Sequence, residues 1–369
     1  MSNEQATKEG TGRYRNRMVA GGIAHAQHFR EGLGGLSLSS IGLGTHLGGY
    51  DARTDALYVN AVKQAIRSGC NVVDTAINYR CQRSERAIGR ALRDLIDEGT
   101  AAREEILIST KGGYIPYNEA PPPDGYAYLQ ETFVRPGVMM TSDVVAECHC
   151  MTPSYLRHQL DASLANLGLS CVDVYYLHNP ETQLEEVRSD EFIRRIQAAF
   201  EVLEEAVEAG KIQVYGTATW NAYRARVGSG GHVSLEAMVK AAEDVAGARH
   251  HFKVIQVPYN LGMPEALTEQ TQTINGSKVS VLEAAKALGV YVTGSAAMLQ
   301  GQLSRDLPED LGSRLGQATD AQRAIQFVRS TPGMGTALVG MKQTEHVRDN
   351  LAVSAWPPLT PDRFAELFA

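Results

Sequence analysis

Short apolar runs alternate along this chain with longer stretches in which apolar residues return every three or four positions. The short runs are rich in β-branched residues and read as strands near 39–45, 70–76, 105–111, 172–178, 213–219, 252–258, 290–296 and 336–341. The longer stretches carry helical stripes. Tyr58, Val59, Val62, Ala65 and Ile66 form one, ended by Gly69; Phe192, Ile196, Phe200, Leu203 and Val207 form another, ended by Gly210. Val281, Leu282, Ala285 and Leu288 form a third, ended by Gly289. Eight such alternations predict an α/β fold, a single (β/α)8 TIM barrel.

The Gly-rich centre of His28–Ser37 predicts a β-hairpin ahead of the barrel. Residues 361–369 predict a short C-terminal helix that packs Phe364, Leu367 and Phe368. Residues 1–27 are polar and Gly-rich and are expected to be flexible, leaving 28–369 as the barrel. Two connections are longer than packing requires. The long loop after the third barrel strand, Gly112–Met151, is rich in aromatic residues and is expected to overhang the C-terminal end of the barrel as a lid or to form an intersubunit contact. The second, Met298–Thr319, follows the seventh strand and is expected to clasp a cofactor.

At 369 residues the chain suits one elaborated barrel, and 43% hydrophobic with 21% charged residues suits a globular enzyme. A net charge of −7 argues against nucleic acid as the main partner, since no basic stripe tracks phosphates. No apolar run approaches the ~20 residues needed to cross a bilayer, and the N-terminus lacks a signal-peptide core. Cys70, Cys81, Cys148, Cys150 and Cys171 form no disulfide framework, so a cytoplasmic location is expected. The spacing of Cys148-His149-Cys150 is too tight for a Cys-x2-Cys knuckle and no second ligand pair follows, so no metal is expected.

The chemistry lies where strands end. Asn71-Val-Val-Asp-Thr-Ala-Ile-Asn-Tyr79, Ile106-Leu-Ile-Ser-Thr-Lys111 and Val172-Asp-Val-Tyr-Tyr-Leu-His178 each start apolar and finish on ionisable groups: Asp74 and Tyr79, Lys111, and His178. Barrel strands present their C-terminal ends to an active site. A tyrosine, whose pKa is about 10 unperturbed, works as an acid near neutrality only if its phenolate is stabilised. A lysine cation does that, a carboxylate holds the lysine, and a neutral histidine orients a carbonyl oxygen.

With their local words, these residues resemble the aldo-keto reductase superfamily, in its bacterial and potassium-channel-β-like branch. The matching words are Ile41-Gly-Leu-Gly-Thr45, Asp74-Thr-Ala followed by Tyr79, Ser84-Glu85, Ser109-Thr-Lys111, Leu177-His178, Val254-Ile-Gln-Val-Pro-Tyr-Asn260 and Gly340–Asn350. They span roughly residues 28–356. The resemblance implies Tyr79, Lys111, Asp74 and His178 as catalytic residues, with Tyr79 the general acid/base. It implies NADP(H) laid across the barrel mouth; no Gly-x-Gly-x-x-Gly opens a βα unit, so a Rossmann site is not indicated. The implied cofactor residues are Gly44, Thr45, Thr219, Gln256, Ser295, Gly340, Lys342, His346, Asp349 and Asn350. Lys342 falls where the 2′-phosphate is held, and Gln256 where the carboxamide is.

Arg80, Tyr114 and Tyr117 are the substrate candidates. The chain departs from the family at Ala218-Thr219, where Ser-Asn is usual, at Ser295-Ala-Ala297 in place of Ser-Pro-Leu, and at Arg80 and Gln82 in place of glycines. The implied activity is hydride transfer between a nicotinamide and a carbonyl or alcohol, a sugar or secondary metabolite. The alternatives are a redox-neutral, epimerase-like enzyme with a retained cofactor, and a cofactor-binding regulatory subunit. The expected partners are a small carbonyl or alcohol and, at most, further copies of the chain; neither nucleic acid nor membrane is expected.

Overall fold

The computed structural model describes residues 4–368. A hairpin of β1 (Phe29–Gly32) and β2 (Leu36–Ser39) comes first, turned by Leu33, Gly34 and Gly35 at positive φ. The barrel strands follow: β3 (Ile41–Gly44), β4 (Val72–Asp74), β5 (Leu107–Gly112), β6 (Val172–His178), β7 (Ile212–Ala218) and β8 (Phe252–Pro258). After a second small hairpin, β9 (Gln272–Ile274) with β10 (Ser277–Val279), come β11 (Tyr291–Ser295) and β12 (Thr336–Gly340). β12 pairs with β3, and all eight barrel pairings are parallel, so the sheet closes with no free edge.

The helical stripes meet the barrel wall as expected. Tyr58, Val62, Ala65 and Ile66 are buried, as are Phe192, Ile196, Phe200 and Leu203, and Val281, Leu282 and Ala285. Leu36 and Leu38 of β2 pack beneath Val72, Leu107, Val174, Val254 and Leu338, so the hairpin plugs the bottom of the barrel. At the β7 bulge only glycine fits: a Cβ on Gly216 would lie 1.7 Å from the Val254 carbonyl oxygen. In the C-terminal helix Pro361–Ala365, Phe364 is buried, and in the turn after it Phe368, though half exposed, sets its ring 5.6 Å from that of Phe364.

The expectation of a flexible 1–27 is corrected for residues 4–27; residues 1–3 lie outside the described residues. Lys8–Ala20 is an α-helix, capped by the Thr7 hydroxyl, which accepts from the Gly10 amide at 2.9 Å. The polarity that suggested disorder belongs to its outer face. Beneath it Tyr14 is fully buried and donates to the Ile66 carbonyl at 2.6 Å, and Gly10 lies against the Glu104 backbone. Arg17 grips Glu105 with two bonds, and the Ala6 amide donates to Asp173 at the base of β6. Tyr14→Ala should therefore cost about 3–5 kcal/mol, as for other large buried rings; a denaturation midpoint unchanged from wild type would mean that the helix contributes nothing to the fold.

The 112–151 excursion is also more than a loose flap. Its two stems pair, Cys150 N donating to Gly113 O and Ile115 N to Cys148 O. Its middle has a helix at Gly125–Leu129 and a core of its own, in which Leu129, Phe133, Met139 and Cys150 pack against Tyr155.

Candidate active site

Asp74, Lys111 and His178 sit at or next to the C-terminal ends of β4, β5 and β6, and Tyr79 follows in the loop after β4. Adjacent parallel strands in register bring these ends together; Asp74 stands opposite Ser109, and Lys111 opposite Tyr176. Fully buried Lys111 donates through Nζ to Asp74 Oδ2 at 2.5 Å and to the Thr75 carbonyl at 2.7 Å, and lies 3.3 Å from Tyr79 Oη. The second carboxylate oxygen of Asp74 accepts from Ser109 Oγ at 2.8 Å and from Gln256 Nε2 at 2.9 Å. The anion is thus held by three donors.

Each protonation state has a physical cause. Burial opposes the charge on Lys111, but Asp74 and Tyr79 outweigh it and hold its pKa above the ordinary lysine value. Burial also raises the Tyr79 pKa, against the pull of Lys111, so the phenol is protonated at neutral pH. Burial and the Lys111 cation push His178 well below the usual histidine range, leaving a neutral ring. Among the described residues neither ring nitrogen has a hydrogen-bond partner, and since Nδ1 is buried, Nε2 is the one left for a ligand to approach. The rings of His46 and His178 stand edge-on to Tyr79, at 4.7 and 5.8 Å.

A cavity of about 830 Å³ opens on this cluster. Its inner end is lined by Tyr79, Tyr114, His178 and Asn179, and its outer end by Gly340, His346, Asp349 and Asn350. Gly44, Thr45, Thr219, Gln256 and Ser295 also line it. One extended ligand can therefore reach both the chemical cluster and the segment after β12. Several lining groups are free to bind: the amide of buried Asn350 and the Thr219 hydroxyl have no protein partner among the described residues, and Gln256 keeps its oxygen. Asp349 is oriented by Gln322, which donates to it at 3.0 Å. Lys342 lies outside the lining, half-buried between Gly340 and the helix Thr344–Leu351, with no ion pair among the described residues. From the 298–319 connection, Met298, Gln300, Gly301, Ser304 and Thr319 line the cavity.

Two substrate candidates do not reach the cavity. Arg80, Cys81 and Gln82 all take left-handed φ, of 50, 54 and 70°, where glycine is the unstrained residue. This turn swings the Arg80 side chain away from the cavity; it pairs with Asp55 at 2.7 Å, donates to Gly49 O and lies over the Tyr58 ring. Arg80 is a brace. Tyr117 packs edge-on to Tyr128 inside the excursion. Tyr114, at the excursion's root, is its only residue in the lining, so the tip does not form a lid over the cluster.

Ser84-Glu85 proves to be a clamp. Ser84 Oγ donates to Thr45 O at 2.8 Å, and buried Glu85 accepts from Thr110 at 2.6 Å and Asn166 at 2.9 Å. Sequence reasoning missed His46, Asn78, Asn179 and Trp220 in the lining. His46 directly follows the Ile41–Thr45 word and Asn179 directly follows His178, so adjacency to known strand ends was the usable signal. Cys148 and Cys150 are free thiols, and among the described residues no three His, Cys, Asp or Glu side chains are placed to hold a metal ion. Among the described residues no helix is long and apolar enough to cross a membrane.

Comparison with known proteins agrees with this architecture. The model of the aldo/keto reductase family matches residues 40–369. A candidate voltage-gated potassium channel subunit beta of Schizosaccharomyces pombe is 25% identical over 350 residues, covering 90% of this chain and 89% of that protein. The NADH-specific methylglyoxal reductase of Escherichia coli is 27% identical over 193 residues, covering 51% of this chain and 50% of that protein. Among solved structures, an aldo/keto reductase from Klebsiella pneumoniae in complex with NADP and acetate superposes with a TM-score of 0.61 at 20% identity, covering 92% and 94% of the two chains.

Proposed function

This chain belongs to the aldo/keto reductase family, and we propose that it is an NADP(H)-dependent oxidoreductase interconverting a carbonyl and an alcohol. The observation that carries this reading is the buried Lys111, bonded to Asp74 and facing Tyr79 Oη at 3.3 Å, at the inner end of a cavity that also reaches Asn350. The bound nicotinamide supplies the hydride. The protein supplies orientation and a proton.

A substrate carbonyl oxygen accepts from Tyr79 Oη and from His178 Nε2, and both groups are neutral before reaction because burial keeps them so. As the carbonyl oxygen gains charge, Tyr79 passes its proton to it. Lys111 stabilises the phenolate left behind without itself losing a proton, since Asp74 holds it charged. In reverse, the phenolate accepts the proton of an alcohol. At the other end of the cavity, Asn350 and Asp349 would hold the adenosine part of the cofactor, and Lys342, beside that end, would bind a 2′-phosphate as a point charge, aided by the amides opening Thr344–Leu351. The Klebsiella neighbour's NADP favours the phosphorylated cofactor.

Lys342→Ala should weaken NADPH binding by about 1.5–3 kcal/mol, the scale of hydrogen bonds to charged groups, and leave NADH binding nearly unchanged. Fluorescence titration with both cofactors checks this; equal weakening, or none, would remove Lys342 from the phosphate site. A panel of aldehydes and ketones, followed by loss of reduced-nicotinamide absorbance, tests the activity. A protein that binds NADPH and turns over no carbonyl would instead fit the regulatory role that the yeast channel-subunit relative suggests.

A further inference from the structure

We propose that His149 is a positioning residue of the active site, held in one tautomer by Gln183 and Arg195 so that it fixes the backbone of His178 and the ring of Tyr114. The inference rests on the reductase reading above.

The chain of bonds has one direction. Arg195 has only donors, and its Nη1 reaches Gln183 Oε1 at 2.5 Å, so the Gln183 amide must turn its NH2 the other way. Gln183 Nε2 lies 2.9 Å from His149 Nδ1, which must therefore accept. The single proton of the ring is left on Nε2, and Nε2 donates at 2.8 Å to the carbonyl of His178. Gln183 and His149 are both buried, so no water competes for these bonds.

The carbonyl that is held lies at a vulnerable place. His178 ends β6, and the next residue, Asn179, takes a left-handed φ of 46°. Asn179 Nδ2 in turn donates to the Tyr114 hydroxyl at 3.0 Å. The Tyr114 ring stands edge-on between His149, at 5.3 Å, and His178, at 5.0 Å. Gly113 lets these parts close up, since a Cβ there would lie 2.7 Å from His149 Nε2. His149 thus ties both stems of the 112–151 excursion to the residue that orients the substrate. That is a task for the central residue of Cys148-His149-Cys150, in place of metal binding.

The groups around the ring are Tyr114, Cys148 and Cys150 on its own excursion, His178 from β6, and Arg195, itself paired with Glu191, behind Gln183. Glu185 and Glu186 lie near the same turn, Glu186 accepting from the Ala146 amide. Burial holds the His149 pKa down to about 4, so the wild-type ring stays neutral and its tautomer constant across the working pH range.

Gln183→Glu supplies the test. Its carboxylate accepts from Arg195 and also from a protonated Nδ1, so the His149 pKa rises. At low pH the ring carries both protons and both bonds persist. As pH rises through the new pKa, one proton leaves; the carboxylate keeps the one on Nδ1, and Nε2 turns a lone pair on the His178 carbonyl. Reductive kcat of the variant should then fall about tenfold or more between about pH 6 and pH 9, with cofactor Kd unchanged, while wild type stays flat. His149→Leu should show the low kcat at every pH, and His149→Gln, whose amide can still donate to His178, should recover most of it.

Nitrogen NMR of histidine-labelled protein reads the tautomer and pKa of His149 without any turnover. A Gln183→Glu profile parallel to wild type, equal kcat in the Leu and Gln variants, or a wild-type proton on Nδ1 would each overturn the positioning role. Wild-type protein that shows the Nε2 tautomer yet reduces no carbonyl would overturn the reductase reading, and the positioning role with it.

Discussion

Tyr79→Phe is expected to fold as wild type, bind cofactor as wild type and lose about 10²–10⁴-fold in carbonyl turnover, the range for a positioned general acid. Among the described residues the hydroxyl's one partner within hydrogen-bond reach is Lys111 Nζ, and the ring keeps its edge contacts with His46 and His178 without it. Only the proton is lost. Lys111→Met should cost a similar amount by removing the cation that stabilises the phenolate. The two losses should be far from additive, because either change alone disables the same unit. The sign of the pH dependence follows from the same geometry. Reduction needs Tyr79 protonated, and burial holds its pKa above the ordinary value of about 10. Reductive kcat should therefore be level through neutrality and fall only as pH rises past that point. Near-normal turnover in Tyr79→Phe would mean that the proton comes from elsewhere.

Asp74→Ala is expected to destabilise the fold by about 3–5 kcal/mol, the range for breaking a buried pair on one side. Lys111 is fully buried, and Asp74 is its only carboxylate partner among the described residues. In wild type the folded Lys111 pKa is raised, so its stabilising contribution is fully present below the unfolded pKa, about 10.4, and is lost as pH rises past the folded one. Without Asp74, burial dominates and the folded pKa drops below the unfolded one. The variant should then gain stability as pH rises from the depressed folded pKa towards about 10.4, a slope of opposite sign to wild type. Urea midpoints at several pH values measure both quantities. A small loss with an unchanged pH slope would show that the Thr75 carbonyl and local water hold the lysine without the aspartate.

The Asp74–Lys111–His178 cluster was legible because each of the three sits at the end of an apolar strand, with Tyr79 five residues beyond one such end, and parallel pairing leaves these ends little choice about where to meet. The N-terminal helix was not legible. Its thirteen residues contain two glycines and four Lys or Arg, and one of those glycines is there for close packing on Glu104, a reason visible only in three dimensions. The β9–β10 hairpin was missed although Asn275-Gly276, both at positive φ, is the strongest short hairpin signal a sequence can carry. Arg80 and Tyr117 stay out of the cavity lining: nearness in sequence to Tyr79 or Lys111 says nothing of direction. Three successive left-handed residues turn Arg80 onto Asp55, and Tyr117 sets its ring edge-on against Tyr128 within the excursion. The glycines usual in the family at 80 and 82 now have a physical meaning here, since this backbone is costly for any other residue.

Net hydride transfer at the cavity's inner end is what separates a reductase from a redox-neutral use of this barrel. Incubating the protein with NADPH deuterated at the transferable C4 position, and with a carbonyl drawn from the panel, tests it most directly by mass spectrometry of the product. One deuterium on the carbinol carbon for each NADPH oxidised is the expected result. A substrate rearranged without deuterium uptake and without net loss of NADPH would contradict it, and would assign the barrel to redox-neutral chemistry.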